Sequence, residues 1–150
     1  IEEALPQLIK LTAAPAVAAK ALFKALAALP SRQVLNAQTG AVHAASFCTA
    51  DGEILVVKED VGRHNAFDKV IGHLARQGID PASGFSLLTS RCSYELVQKA
   101  VLARIPVLAA ISAPTELAVS IAAEANLTLV ALARGDSVLL FNDPFHSIVK

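Results

Sequence analysis

Between residues 84 and 141 the chain alternates short apolar runs with helix-forming segments, and this alternation restricts its fold more than any other feature. Strand-like runs at 84–89, 106–111 and 127–132 are separated by helical patterns at 93–103 and 114–125. A last run at 137–141 follows Arg134-Gly135-Asp136. Strands joined through a helix lie parallel, because the crossover carries the chain back to the edge from which the first strand started. Upstream, the runs 41–49 and 53–58 flank Asp51-Gly52, a dipeptide that tolerates positive φ and so marks a hairpin between antiparallel strands. A parallel block beside an antiparallel hairpin predicts an α/β domain of three layers, α/β/α, built on a mixed sheet.

Residues 1–29 are rich in Ala, Leu and Lys, with Pro6 and Pro15 suited to first helical turns, and predict two helices. Val17, Leu22, Phe23, Leu26 and Leu29 supply their inward face. Ser31 is placed to cap a third short helix reaching Asn36. Phe67, Val70, Ile71 and Leu74 predict a helix that Gly78 stops. The tail 142–150 is expected to be loose. No repeat or Gly/Ser linker divides the 150 residues, so one domain is expected, with N-terminal helices over 1–36 and an α/β core over 37–141.

Hydrophobic residues make up 54% of the chain and charged ones 17%, a balance that calls for extra burial, as at a dimer interface. Lys20, Lys24, Glu116 and Glu124 interrupt the apolar runs before any reaches the roughly 20 residues of a membrane span. Thirteen basic residues balance thirteen acidic ones, so no overall field draws the chain onto nucleic acid. It opens on Ile1 without signal-peptide features, and Cys48 and Cys92 form neither a metal-ligand pair nor a disulfide framework; a fragment of a cytoplasmic protein is expected.

Polar residues concentrate where strands hand over to helices, the usual ligand-binding end of an α/β sheet. The densest group is Glu59-Asp60-Val61-Gly62-Arg63-His64-Asn65, followed by Asp68 and Lys69. Gly62 permits close approach, Arg63 offers a planar fork of donors and His64 exchanges protons near neutrality, a set suited to an anion. The plainer alternative is that Asp60 or Asn65 caps the helix while Arg63 pairs with Asp68. Ser90-Arg91-Cys92-Ser93 and Ser112-Ala113-Pro114-Thr115 are two further junctions, one βα unit apart, with free N–H groups and hydroxyls able to surround phosphate. Neighbouring junctions of this kind suggest a pyrophosphate. Neither a P-loop nor a Gly-x-Gly-x-x-Gly fingerprint occurs. A zinc deaminase needs His-x-Glu and Pro-Cys-x-x-Cys; here Ala45 follows His43 at the Glu position, so no zinc is expected. Cys48, in a strand run, is expected to be buried and inert, whereas Cys92, beside Arg91 and a helix start, is a candidate for a lowered pKa.

In this order, Thr39-Gly40-x-x-His43-Ala44-Ala45, the Glu59-to-Lys69 group with Ala66-Phe67 inside it, Ser90-Arg91-x-Ser93-Tyr94-Glu95-Leu96-Val97-Gln98-Lys99, Ser112-Ala113-Pro114-Thr115-x-Leu117-Ala118-Val119 and Leu127-Thr128-Leu129-Val130 resemble the FdhD family of formate dehydrogenase accessory sulfurtransferases. The resemblance covers about residues 37 to 135. It implies a cytidine-deaminase-like fold without the zinc, a homodimer, and binding of the molybdenum cofactor in its bis-molybdopterin guanine dinucleotide form, with GDP as a partial mimic. It implies sulfur transfer from a cysteine desulfurase to that cofactor for formate dehydrogenase.

The family's sulfur carriers are cysteines of a Cys-x-x-Cys loop upstream of the region resembling residues 1–29. No Cys-x-x-Cys occurs in this chain, so no catalytic residue is assigned within it. Ala41 also departs from the family, which often has a second glycine there. Resemblance and residue chemistry together assign cofactor contact to His43, Asp60, Gly62, Arg63, His64, Asp68, Ser90, Arg91, Ser93, Ser112, Ala113, Pro114 and Thr115, with Asp60 and Asp68 organising their loop. Two rivals stay open: a non-catalytic carrier or chaperone that presents the cofactor, and an enzyme using Cys92 as nucleophile with His43 or His64 as base.

Overall fold

The computed structural model describes residues 8–133 and 137–150; the helix start expected within 1–7 and the Arg134-Gly135-Asp136 turn lie outside them. Strand β1 (Val17–Ala18) leads into helix α1 (Ala19–Ala28), a 3-10 turn at Pro30–Arg32 and helix α2 (Val34–Thr39). The hairpin strands β2 (His43–Thr49) and β3 (Ile54–Asp60) precede α3 (Arg63–Gln77). Then come β4 (Gly84–Leu88), α4 (Tyr94–Leu102), β5 (Val107–Ala110), α5 (Glu116–Ala125), β6 (Thr128–Ala133), β7 (Ser137–Asn142) and β8 (Ile148–Val149).

Six of these strands form one sheet in the order β3-β2-β4-β5-β6-β7. The βα alternation makes β4, β5 and β6 parallel, and the hairpin and β7 add antiparallel strands on either side. Because strand side chains alternate between faces, successive residues serve different cores. Phe85, Leu87, Val107, Ala109, Val130 and Leu132 pack with Leu22, Ala25 and Leu29 of the α1 region. Phe47, Leu88, Leu108, Ala110 and Leu129 pack with α3, α4 and α5 on the other side. The expected three-layer α/β/α arrangement on a mixed sheet is the one observed. No described helix is long and apolar enough to cross a membrane.

The hairpin turn shows why glycine follows Asp51. Gly52 has φ +92°, and a Cβ there would stand 2.5 Å from the carbonyl oxygen of Ala21, so the turn is both left-handed and pressed against α1. Helix α3 ends as expected at Gly78, with Ile79 N–H returning to the Leu74 carbonyl at 3.0 Å.

Three expectations need correction. Residues 8–16 are not helical, so among the described residues up to 29 only α1 is an α-helix where two helices are expected. The reason is tertiary: Leu11 N–H donates to the Ala125 carbonyl (2.9 Å) and Asn126 Nδ2 to the Leu11 carbonyl (3.2 Å), so the end of α5 satisfies this backbone. The short helix starts at Val34 and not after Ser31, whose hydroxyl donates back to Ala28 O.

The tail is not loose either. Asp143 Oδ1 accepts Ser147 N–H (2.7 Å), its Oδ2 accepts Ile148 N–H (3.2 Å), and Ser147 O accepts Val17 N–H (2.8 Å), which zips β8 parallel to β1. The Ser147 hydroxyl, in a residue 2% exposed, also donates to Pro15 O. Asp143→Ala is expected to cost about 1–3 kcal/mol, since charged acceptors leave backbone donors unmet when removed. A lower thermal midpoint with early loss of amide protection at Val17 would report it; an unchanged midpoint would mean the tail contributes nothing.

Candidate functional site

Parallel β4 and β5 are neighbours, and β2 runs antiparallel beside β4 with β3 beyond it. The carboxyl ends of β3, β4 and β5 and the start of β2 therefore share one edge of the sheet. That edge collects His43, the 60–64 loop, the Ser90–Ser93 junction and the Ser112–Thr115 junction. Two bonds tie it together: Thr115 N–H donates to Cys92 O (3.1 Å), and Thr89 Oγ1 accepts Ala44 N–H (2.9 Å).

The loop after β3 is organised by Asp60. Its Oδ1 accepts Gly62 N–H at 2.9 Å and its Oδ2 meets Lys69 Nζ at 2.8 Å. Lys69, and after it the Gly62 N–H, hold the Asp60 carboxyl below its ordinary pKa. His43, half-buried, stands directly across the ladder from Asp60. His64 Nε2 lies 3.6 Å from Glu95 Oε1 of α4, an ion pair when the imidazole is protonated. Asp68 belongs to a different contact from the one expected. It pairs with Lys99 at 2.8 Å, joining α3 to α4 and leaving the loop to Asp60.

Three buried side-chain polar atoms have no partner among the described residues: Ser86 Oγ lies within β4, and the other two lie at this edge. Arg63 Nε and Ser93 Oγ are both buried without a hydrogen bond. Ser93 occupies the N-cap of α4, yet its hydroxyl does not cap the helix. The plainer alternative fails for Arg63, which makes no ion pair with Asp68. Thr115 does the opposite: its Oγ1 accepts Ala118 N–H at 3.1 Å, so its hydroxyl caps α5. Ser90 is 5% exposed, whereas Arg91, Ser112 and Ala113 are exposed and Pro114 is half-buried beside them.

Cys92 is fully buried, and burial pushes its thiol up to about 12; the nearby Arg63 charge acts in the opposite direction but is the smaller influence. The lowered pKa expected from the helix start is therefore overturned. Cys48 is also buried and raised to about 12, as an inert strand cysteine should be. Sequence reasoning missed the partners Glu95, Lys99 and Thr89, because each contact spans elements that no local pattern links.

The model of the FdhD/NarQ family matches residues 1–148. A relative named sulfur carrier protein FdhD, from Variovorax paradoxus, is 49% identical over 146 residues, covering 97% of this chain and 51% of the relative. One of the same name from Xanthomonas oryzae pv. oryzae is 56% identical over 124 residues, covering 83% of this chain and 44% of its own length. A crystal structure of a formate dehydrogenase accessory protein from Desulfotalea psychrophila superposes with TM-score 0.83 at 27% identity, covering 91% of this chain and 58% of that one. The chain thus spans about half the length of the curated relatives it matches.

Proposed function

The chain belongs to the FdhD/NarQ family, and on that premise we propose that it is the nucleotide-binding portion of a sulfur carrier serving formate dehydrogenase. It holds the guanine dinucleotide form of the molybdenum cofactor while sulfur from a cysteine desulfurase is delivered to that cofactor. The observation that carries this reading is the pair of unpartnered buried groups, Arg63 Nε and Ser93 Oγ, on neighbouring sides of one sheet edge. Buried donors without acceptors cost about 1–3 kcal/mol each, and a phosphate oxygen entering the junctions supplies the acceptor. Exposed Arg91 and the N–H groups of Ser112 and Ala113 complete a donor set for a pyrophosphate, Thr115 N–H being held by Cys92 O.

The chemistry divides accordingly. Both cysteines are buried with raised thiol pKa values, so neither offers a thiolate for persulfide formation, and sulfur arrives from outside these residues. The same burial favours, as a second reading, a carrier that presents the cofactor without transferring sulfur. A homodimer in the cytoplasm is the working form in this proposal. Strand β7 supports the dimer, because it is an uncharged sheet edge on which Leu139 and Leu140 are about half exposed.

Calorimetric titration of the chain with GDP and with ADP at fixed salt, repeated on Arg91→Ala, tests the site. GDP is expected to bind more tightly than ADP and to lose affinity in the variant; failure to bind either nucleotide overturns the reading.

A further inference from the structure

Helix α2 is an unusual element to find ordered beside a binding edge. It has six residues, none of them buried, and its Val34 and Leu35 side chains are 61% and 47% exposed. A helix this short is unstable alone, and this one has no apolar stripe to dock it. Its N-cap residue, Gln33, makes no capping bond.

The missing cap comes from another element. Glu59, the penultimate residue of β3, reaches across so that its Oε1 accepts Leu35 N–H at 2.8 Å and its Oε2 accepts Asn36 N–H at 2.9 Å. These are first-turn donors that a helix cannot satisfy internally, and a carboxylate is the acceptor its positive end favours. Glu59 is in turn held from behind: Lys69 Nζ donates to its carbonyl at 3.1 Å while also pairing with the Asp60 carboxylate. Beyond α2, Gly40 takes φ +68°, Thr39 Oγ1 accepts Ala41 N–H at 3.1 Å, and the chain enters β2 with His43 opposite Asp60.

We propose that Glu59 is a positioning residue for the nucleotide site. Its two-oxygen grip fixes α2 to β3, and through the Gly40 turn it fixes the approach to His43, so that this approach and the 60–64 loop form one rigid rim. The proposal rests on the nucleotide reading above and adds to it a residue whose carboxylate is committed to α2.

Glu59→Gln keeps the shape but replaces one acceptor oxygen by an amide NH₂, which cannot accept from α2. Amide exchange at whichever of Leu35 and Asn36 faces the NH₂ is expected to quicken about tenfold, the worth of a lost hydrogen bond. GDP affinity is expected to fall about five- to tenfold, because the rim is in its binding-competent arrangement for a smaller fraction of the time. Asp80→Ala is the control: it removes a similar bond, from Ala82 N–H at 3.0 Å, just ahead of β4 at the opposite end of the sheet, and should leave GDP affinity unchanged.

Unchanged exchange at Leu35 and Asn36 in Glu59→Gln overturns the anchor. Faster exchange with undiminished GDP affinity, or an equal loss in Asp80→Ala, overturns the positioning role. Absence of GDP binding by the unsubstituted chain overturns the nucleotide reading itself and this role with it, a result recognisable before any substitution is made.

Discussion

Arg63→Ala is expected to weaken GDP binding by about 10- to 100-fold without lowering the thermal midpoint of the ligand-free chain. The two halves of this result have one cause. In the free protein Arg63 Nε is buried and bonded to nothing among the described residues, so it contributes desolvation cost and no compensating hydrogen bond. With a phosphate in place, the same group makes a charge-assisted bond worth about 1.5–3 kcal/mol, which is the expected change in affinity. Titration calorimetry and a thermal melt on the same preparation measure both. A midpoint that falls together with affinity would show that Arg63 supports the fold, and unchanged affinity would place the ligand elsewhere.

Gly84→Ala should be the most damaging alanine substitution among the described glycines. A Cβ at this position would lie 1.9 Å from Cys48 O and 3.2 Å from Phe47 Cζ. Backbone strain is not involved, since φ is −159°, an extended value any residue adopts. What forbids the methyl is space: Gly84 faces Thr49 in the β2–β4 ladder, and the strands would have to part there. Overpacking of this kind costs about 3 kcal/mol or more, a fall in midpoint on the order of 10 °C for a chain of this size. Gly78→Ala makes the contrast. Its Cβ would meet nothing within 4 Å, and only the positive φ of +66° would resist, at about 1–2 kcal/mol. Comparable midpoints for the two variants would contradict the steric argument.

The parts of the fold that were legible in advance are those carried by local chemistry. The 84–132 alternation, the Asp51-Gly52 turn and the Gly78 stop each need only neighbouring residues, and all three appear in the structure. That the 90–93 and 112–115 junctions are neighbours follows from the βα alternation, whereas the 60–64 loop joins them through the observed strand order β3-β2-β4-β5. The misreadings have a common origin in distant partners. Ala- and Leu-rich residues 8–16 favour a helix until the α5 terminus offers their backbone better bonds. Asp68 looked like part of its loop until Lys99, an element away, took it. The helix start beside Cys92 favours a thiolate, and the burial of the thiol outweighs it.

The β1–β8 zipper, finally, sets an order of events during synthesis. Val17 and Ile148 are partners although nearly the whole domain is translated between them. All six sheet strands are made before Ser147 can meet Val17, so the lead-in to α1 waits on residues that follow the whole sheet. A chain ending after β7 would possess every strand of the sheet while its α1 layer stays unlatched on one side.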